Sequence, residues 1–196
     1  MFFYLMRHGD KIRIPGNPGL SDLGKSQSKL TAIYLMDKNI SAILYSQLAR
    51  VRETARIISK RLGMEFKEDK RLTERINWGD VPNVSFSEFL KEWEKTDKDR
   101  DYKPKFGQSS RETGNKLLEV IKEFEKEKES QNILIVTSGG TITDLLRNIF
   151  GDDYLESKRS GFIDGGIKDA SITILQANDG NYKLIEFAST KHLKED

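Results

Sequence analysis

The chain has 196 residues, 36% hydrophobic and 33% charged, which suits one domain with an apolar core and a heavily solvated exterior. Thirty-three basic residues against 31 acidic ones leave a net charge of +2, too balanced to argue for nucleic acid, which needs cations clustered on one face. With no cysteine, disulfides, thiolate metal sites and a cysteine nucleophile are all excluded.

Phe2-Phe3-Tyr4-Leu5-Met6 is a short apolar run that reads as a buried strand. It is too short for a signal peptide or a membrane span, so a cytoplasmic protein without membrane contact is the default expectation. The run delivers Arg7-His8-Gly9 into the following loop, and the chain has only two histidines. An imidazole can carry a phosphoryl group covalently, and a neighbouring guanidinium can hold its oxygens with paired hydrogen bonds. A strand-end histidine that merely packs or meets solvent is the plain alternative.

Leu23, Leu30, Ile33 and Tyr34 then recur at helical spacing, behind Ser21-Asp22 as an N-cap. Residues 42–45 read as a second strand. Leu48, Val51, Ala55, Ile58 and Leu62 predict an amphipathic helix closed by Gly63. Residues 73–107 are less regular, with Trp78, Pro82, Trp93, Pro104 and a charge cluster over 95–105 that reads as solvated surface. A loop, a helix near 86–94 and a second loop are expected there.

Leu117, Ile121 and Phe124 mark a helix over 110–128. Residues 133–136 are wholly apolar and rich in β-branched side chains, as in a central parallel strand. They run into Thr137-Ser138-Gly139-Gly140, and Ile142, Leu145, Leu146 and Ile149 restore helical spacing before Gly151. Strands over 171–175 and 182–187 flank Asn178-Asp179-Gly180 as a hairpin. This alternation predicts an α/β fold, a three-layer α/β/α sandwich with a mostly parallel central sheet and helices on both faces. The whole chain, 1–196, reads as a single domain with a cover segment around 78–107.

Sites in open α/β sheets form at the carboxyl ends of the strands. Three such loops carry Arg7-His8-Gly9, then Ser46, Arg50 and Arg52, then Ser138-Gly139-Gly140 opening a helix, where free backbone N–H groups favour an anion. A histidine, guanidiniums and a helix N-terminus in one crevice describe a phosphate site.

The ordered segments extend this picture. Arg7-His8-Gly9 is followed by Gly19-Leu20-Ser21-Asp22-Leu23-Gly24, Ser46-Gln47-Leu48-Ala49-Arg50 running on to Thr54-Ala55, and Leu72-Thr73-Glu74. Val136-Thr137-Ser138-Gly139-Gly140, Ala170-Ser171-Ile172-Thr173 and His192-Leu193 come later. In order and spacing they resemble the histidine phosphatase superfamily, also called phosphoglycerate mutase-like, over nearly the whole chain.

The resemblance implies that His8 attacks phosphorus, that Glu74 protonates the leaving oxygen, and that Arg7 and Arg50 hold the phosphoryl oxygens, with Ser138 and Gly139 also at the phosphate. It implies no metal and no cofactor. The expected partner is a small-molecule phosphate ester, with neither nucleic acid nor membrane; a homodimer is left open. Arg52 suits a surface role equally well, since two residues along a helix point elsewhere. The stretch after Glu74 is longer than the common spacing, so Asp80 or a nearby acid stays open as the donor. His192 reads as a surface or packing residue.

Ser138 is the departure, because the resemblance implies a second catalytic histidine there. Serine still donates a hydrogen bond but brings no imidazolium, a loss that typically costs about 10²- to 10⁴-fold in rate. A native serine in a divergent branch and a serine introduced to slow turnover both remain open. The expected activity is hydrolysis of a small phosphorylated metabolite through a phosphohistidine, weakened by Ser138. Mutase-type phosphoryl transfer and phosphate binding without catalysis are the alternatives. Substrate choice is expected to lie in residues 78–107.

Overall fold

The computed structural model describes residues 1–127, 132–162 and 166–194. Its strands are β1 (Phe2–Arg7), β2 (Ile40–Tyr45), β3 (Lys67–Glu68), β4 (Asn132–Thr137), β5 (Ile172–Asn178) and β6 (Asn181–Ser189). The helices described are α1 (Asp22–Tyr34), α2 (Ala49–Leu62), α3 (Phe86–Lys98), α4 (Ser110–Lys126), α5 (Gly139–Phe150) and α6 (Asp152–Lys158).

Strand alternation sets the layers. Phe3 and Leu5 of β1 join Ile133 and Ile135 of β4 on one face, while Tyr4 and Met6 join Leu134 and Val136 on the other. The first face is covered by Leu117 and Ile121 of α4 and by Ile142, Leu145 and Leu146 of α5. The second is covered by Ala32 of α1 and by Val51, Ala55 and Ile58 of α2. Leu5 and Ile135 are wholly buried, so cutting either to alanine should cost about 2–5 kcal/mol.

The sheet order is β3-β2-β4-β1-β5-β6. The first four strands are parallel, and β5 and β6 add an antiparallel hairpin at one edge. The fold is therefore the predicted α/β/α sandwich with a mostly parallel sheet. Strands β1, β2 and β4 release their chains at the same sheet edge, as the parallel pairing requires.

Local signals account for the element ends. Ser21 accepts from the Gly24 amide at 3.1 Å and caps α1. Gly63 ends α2 in the left-handed region, φ 66°. Helix α3 runs four residues past its expected end, because a Ser85–Glu88 capping box starts it and a Glu94–Lys98 pair at 2.7 Å braces its last turn. Strands β2, β5 and β6 also extend beyond the runs read from sequence, since polar residues at strand ends still pair. The two-residue β3 and the seven-residue α6 carry too little periodicity to be seen in advance. The last expected residue of α4, Lys128, lies outside the described residues. Among them, no helix is long and apolar enough to cross a membrane.

Candidate active site

Backbone hydrogen bonds lock the loop after β1 into the sheet edge. The His8 amide donates to the Thr137 carbonyl at 3.0 Å, and the His8 carbonyl accepts from the Ala170 amide at 3.0 Å. The Gly9 amide donates to Thr54 Oγ1 of α2 at 3.2 Å. Gly9 also lies directly against the first turn of α1, where a Cβ on it would sit 2.5 Å from the Gly24 carbonyl oxygen. That contact needs glycine on both sides, since a Cβ on Gly24 would sit 2.0 Å from the Asp10 oxygen.

His8 is 3% exposed. Its Nδ1 lies 2.8 Å from the Gly9 carbonyl, which assigns the ring proton to Nδ1 and leaves a lone pair on Nε2. Burial holds its pKa well below the ordinary 6.5, and the Arg50 and Arg7 guanidiniums push it further down. The ring is thus neutral around pH 7, with Nε2 accepting from Arg50 Nε at 3.0 Å. A buried, neutral imidazole between cations can serve as a nucleophile toward an anionic electrophile once the Arg50 Nε–H moves off Nε2.

Arg50 sits in the first turn of α2 and is 4% exposed. Its Nη2 donates to Asn77 Oδ1 at 3.0 Å, and Asn77 Nδ2 is held in turn by Asp80 Oδ1 at 2.7 Å and the Gly16 carbonyl at 3.0 Å. Arg7 is braced by the Ile167 carbonyl and by Asp169 at 2.7 Å. Arg7 Nε and Arg50 Nη1 are buried with no hydrogen-bond partner among the described residues. Lys11 faces the same cavity, its pKa lowered by burial and then by Arg50 and Arg7. Two arginines and a lysine with unspent donors make a cradle suited to phosphate.

The cavity has a volume of about 600 Å³, and its lining includes Arg7, His8, Arg50, Glu74, Gly139 and Gly140. Gly139 and Gly140 open α5, so unpaired amides of its first turn border the cavity. Glu74 is carried in by the segment after a short turn at Lys70–Leu72, whose Leu72 carbonyl accepts from Thr137 Oγ1 at 2.6 Å.

Arg75 anchors that segment from behind. It is 2% exposed, pairs with Asp97 of α3 at 2.6 Å, and stacks on the Trp93 ring at 4.0 Å. Asp144 of α5 lies 3.7 Å from Arg75 Nε and accepts from Ser110 at 2.6 Å. Burial pushes the Asp144 pKa up to about 7, while Arg75 and Ser110 pull it down.

The structure brings together Arg7, His8, Arg50, Glu74 and Gly139 from the residues read in the sequence. Ser138 stands at the N-terminal boundary of α5 beside them without capping it through its side chain; it is 1% exposed, is not part of the cavity lining, and its Oγ has no partner among the described residues. Arg52 pairs with Glu68 at 3.0 Å on the exposed side of α2. Asp80 is exposed and holds Asn77, whereas Glu74 lines the cavity. His192 packs against Tyr34 at 5.1 Å and hydrogen-bonds Thr31 at 3.1 Å on α1. Lys11, Arg75, Asn77 and Asp169 were not read as site residues. Asn77 follows Glu74 closely enough to be suspected, but its grip on Arg50 depends on a tertiary approach that no local pattern signals.

Known proteins place this arrangement. The sequence pattern of the histidine phosphatase superfamily (branch 1) matches residues 3–190. A probable phosphoglycerate mutase GpmB of Serratia proteamaculans is 28% identical over 160 residues, covering 76% of this chain and 74% of that one. Human 6-phosphofructo-2-kinase/fructose-2,6-bisphosphatase 4 is 30% identical over 155 residues, 73% of this chain but only 31% of that longer protein. Among solved structures, a mycobacterial glucosyl-3-phosphoglycerate phosphatase superposes with a TM-score of 0.77 at 20% identity, over 96% of this chain and 99% of that one. A phosphoserine phosphatase of Entamoeba histolytica gives 0.75 at 22% identity, over 98% and 99%. With the pattern spanning almost the full length and the fold agreeing, the chain belongs to the histidine phosphatase superfamily, branch 1.

Proposed function

We propose that this protein is a phosphatase that hydrolyses a small phosphorylated metabolite through a phosphohistidine on His8. The observation that carries the reading is the buried neutral His8, its Nε2 lone pair facing the Arg50 guanidinium at the cavity floor. In the first step the Arg50 Nε–H passes from His8 Nε2 to a phosphoryl oxygen, Nε2 bonds to phosphorus, the ester P–O bond breaks, and Glu74 gives a proton to the leaving oxygen. Water then attacks the phosphohistidine, the P–N bond breaks, and Glu74 takes up the water proton as phosphate leaves. Arg7, Arg50 and Lys11 neutralise the phosphoryl oxygens throughout, which is most of what phosphoryl transfer asks of a protein.

Mutase-type transfer, in which the phosphoryl group returns to an acceptor alcohol, is the second reading, favoured by the likeness to a probable phosphoglycerate mutase. Ser138 favours a third, phosphate binding without turnover. Steady-state release of phosphate from an aryl phosphate separates turnover from binding alone. Turnover in the wild type that falls by at least about 10³-fold in His8→Ala supports the phosphatase. Saturable phosphate binding without turnover, in the wild type and in Ser138→His, would replace it with the binding reading.

A further inference from the structure

The apolar stripe of α3 turns away from the core. Phe86, Phe89, Leu90 and Trp93 recur at offsets of three and four, the spacing that ordinarily faces a helix inward. Yet none of the four belongs to either hydrophobic core cluster described, and the buried positions of α3 are Glu92 and Thr96. Glu92 holds that inner side with polar contacts, accepting from Lys95 at 2.8 Å, the Tyr102 hydroxyl at 3.0 Å and the Lys105 amide at 3.1 Å.

The stripe lines the cavity that holds His8 and Arg50. Phe86 is 50% exposed and Leu90 46%, and both present that apolar surface to the open cavity instead of a core. Trp78 extends it into a band of rings, with centroid separations of 4.8 Å from Trp78 to Phe86, 5.9 Å from Phe86 to Phe89 and 5.9 Å from Phe89 to Trp93. Charges on this side are already matched: Asp97 pairs with Arg75 and Glu94 with Lys98. Arg75 is covered by the Trp93 ring. Among the described residues α3 therefore offers the cavity no free cation for a second phosphate or a carboxylate, and Lys11, which lines the same cavity, belongs with Arg7 and Arg50 to the phosphate cradle.

We propose that this band selects the alcohol part of the substrate, favouring monophosphate esters of flat apolar alcohols, aromatic ones above all. The ring lies against Phe86, Phe89 and Trp93 while the phosphate meets His8 and Arg50. The occupant follows from continuity, since the stripe and the phosphate cradle share one cavity. An acidic ester such as a phosphoglycerate would bring a carboxylate to this wall and lose hydration without gaining a partner. The proposal rests on the phosphatase reading of the same site.

Phenethyl phosphate and glycerol phosphate test it, because both leave as unactivated alkoxides and a difference reads binding. The KM for phenethyl phosphate should be lower by roughly tenfold at similar kcat, the scale of one added aromatic contact with its buried area. Phe86→Ala and Leu90→Asn, both outside the core, should raise that KM severalfold and leave glycerol phosphate unmoved. Turnover of both esters with equal KM would overturn the proposal and leave the phosphatase standing.

Calorimetry with His8→Ala gives the reverse separation. Tighter binding of phenethyl phosphate, with no turnover in the wild type, would keep the apolar wall and remove the phosphatase. Equal binding of the two esters would remove the wall. If Leu90→Asn dissolves a dimer seen by sedimentation and leaves the ester preference unchanged, the stripe belongs to a second copy and the proposal falls.

Discussion

On the floor of the cavity, the His8-Gly9 segment is tied to β4, α2 and the chain before β5 by three hydrogen bonds of its backbone, and Arg50 is held by Asn77. On the wall, α3 holds itself in place through Glu92 and leaves its rings on the open side. The floor holds its polar groups in place, so on the phosphatase reading the main rearrangement is the passage of the Arg50 Nε–H from His8 Nε2 to a phosphoryl oxygen. The wall presents area and shape and carries no charge that must be met. Reaction type should therefore be insensitive to changes in the wall, and selectivity insensitive to small changes in the floor.

Arg50→Met is the harshest way to break the floor after loss of His8 itself. It removes a buried cation from beside Nε2, and kcat/KM should fall by about 10²- to 10³-fold for every ester alike. Asn77→Ala leaves the charge but frees the guanidinium, and a loss of about tenfold is expected from mispositioning alone. If Asn77→Ala costs as much as Arg50→Met, Asn77 meets the substrate itself and the division between floor and support needs redrawing.

Ser138→His should raise the turnover of aryl phosphate by about tenfold, since it brings an imidazole next to the cradle at the start of α5. Thermal unfolding measured on the same protein separates chemistry from packing, because Ser138 is buried. No gain with an intact fold would mean that the floor has been rebuilt around serine, with Lys11 supplying the cation instead.

Much of the floor was legible because its residues are neighbours in the chain. Arg7-His8-Gly9 and Ser138-Gly139-Gly140 each follow an apolar run, and parallel strands bring such ends to one edge. Asn77, Arg75 and Lys11 were not legible, because their roles come from which side chains meet across separate elements. Glu74 and Asp80 could be told apart only by exposure and by the Asn77 contact. The wall was half legible: the spacing of Phe86, Phe89, Leu90 and Trp93 predicts a helix, but periodicity cannot say whether its apolar face meets a core or a cavity.

The pH profile sharpens the floor without disturbing the wall. On the phosphatase reading attack needs neutral His8, whose pKa is held well below 6.5, so the acid limb of kcat/KM that belongs to His8 should fall below that pH. Burial is the main cause and Arg50 the next. Arg50→Met removes one repelling cation, so this limb should move to higher pH with the same substrate while staying below 6.5. Wall variants such as Phe86→Ala should not move it. A limb that moves with Phe86→Ala would mean that α3 controls solvent access to His8.

Floor and wall meet at Gly140, and the smallest change in the molecule probes the joint. A Cβ there would sit 2.4 Å from Glu74 Oε1 and 2.7 Å from the far edge of the Trp93 ring. Both are side-chain atoms, so the backbone can stay in place, but the Glu74 carboxyl must move and the Trp93 ring must tilt slightly to admit Gly140→Ala. A displaced carboxyl hurts esters in proportion to how badly their leaving oxygen needs a proton. Glycerol phosphate should therefore lose severalfold in kcat/KM, which reads the phosphoryl transfer to His8, and nitrophenyl phosphate, whose leaving group departs readily as an anion, should lose little by the same measure. Equal losses on the two esters would place the damage in Trp93 and the wall rather than in the position of Glu74.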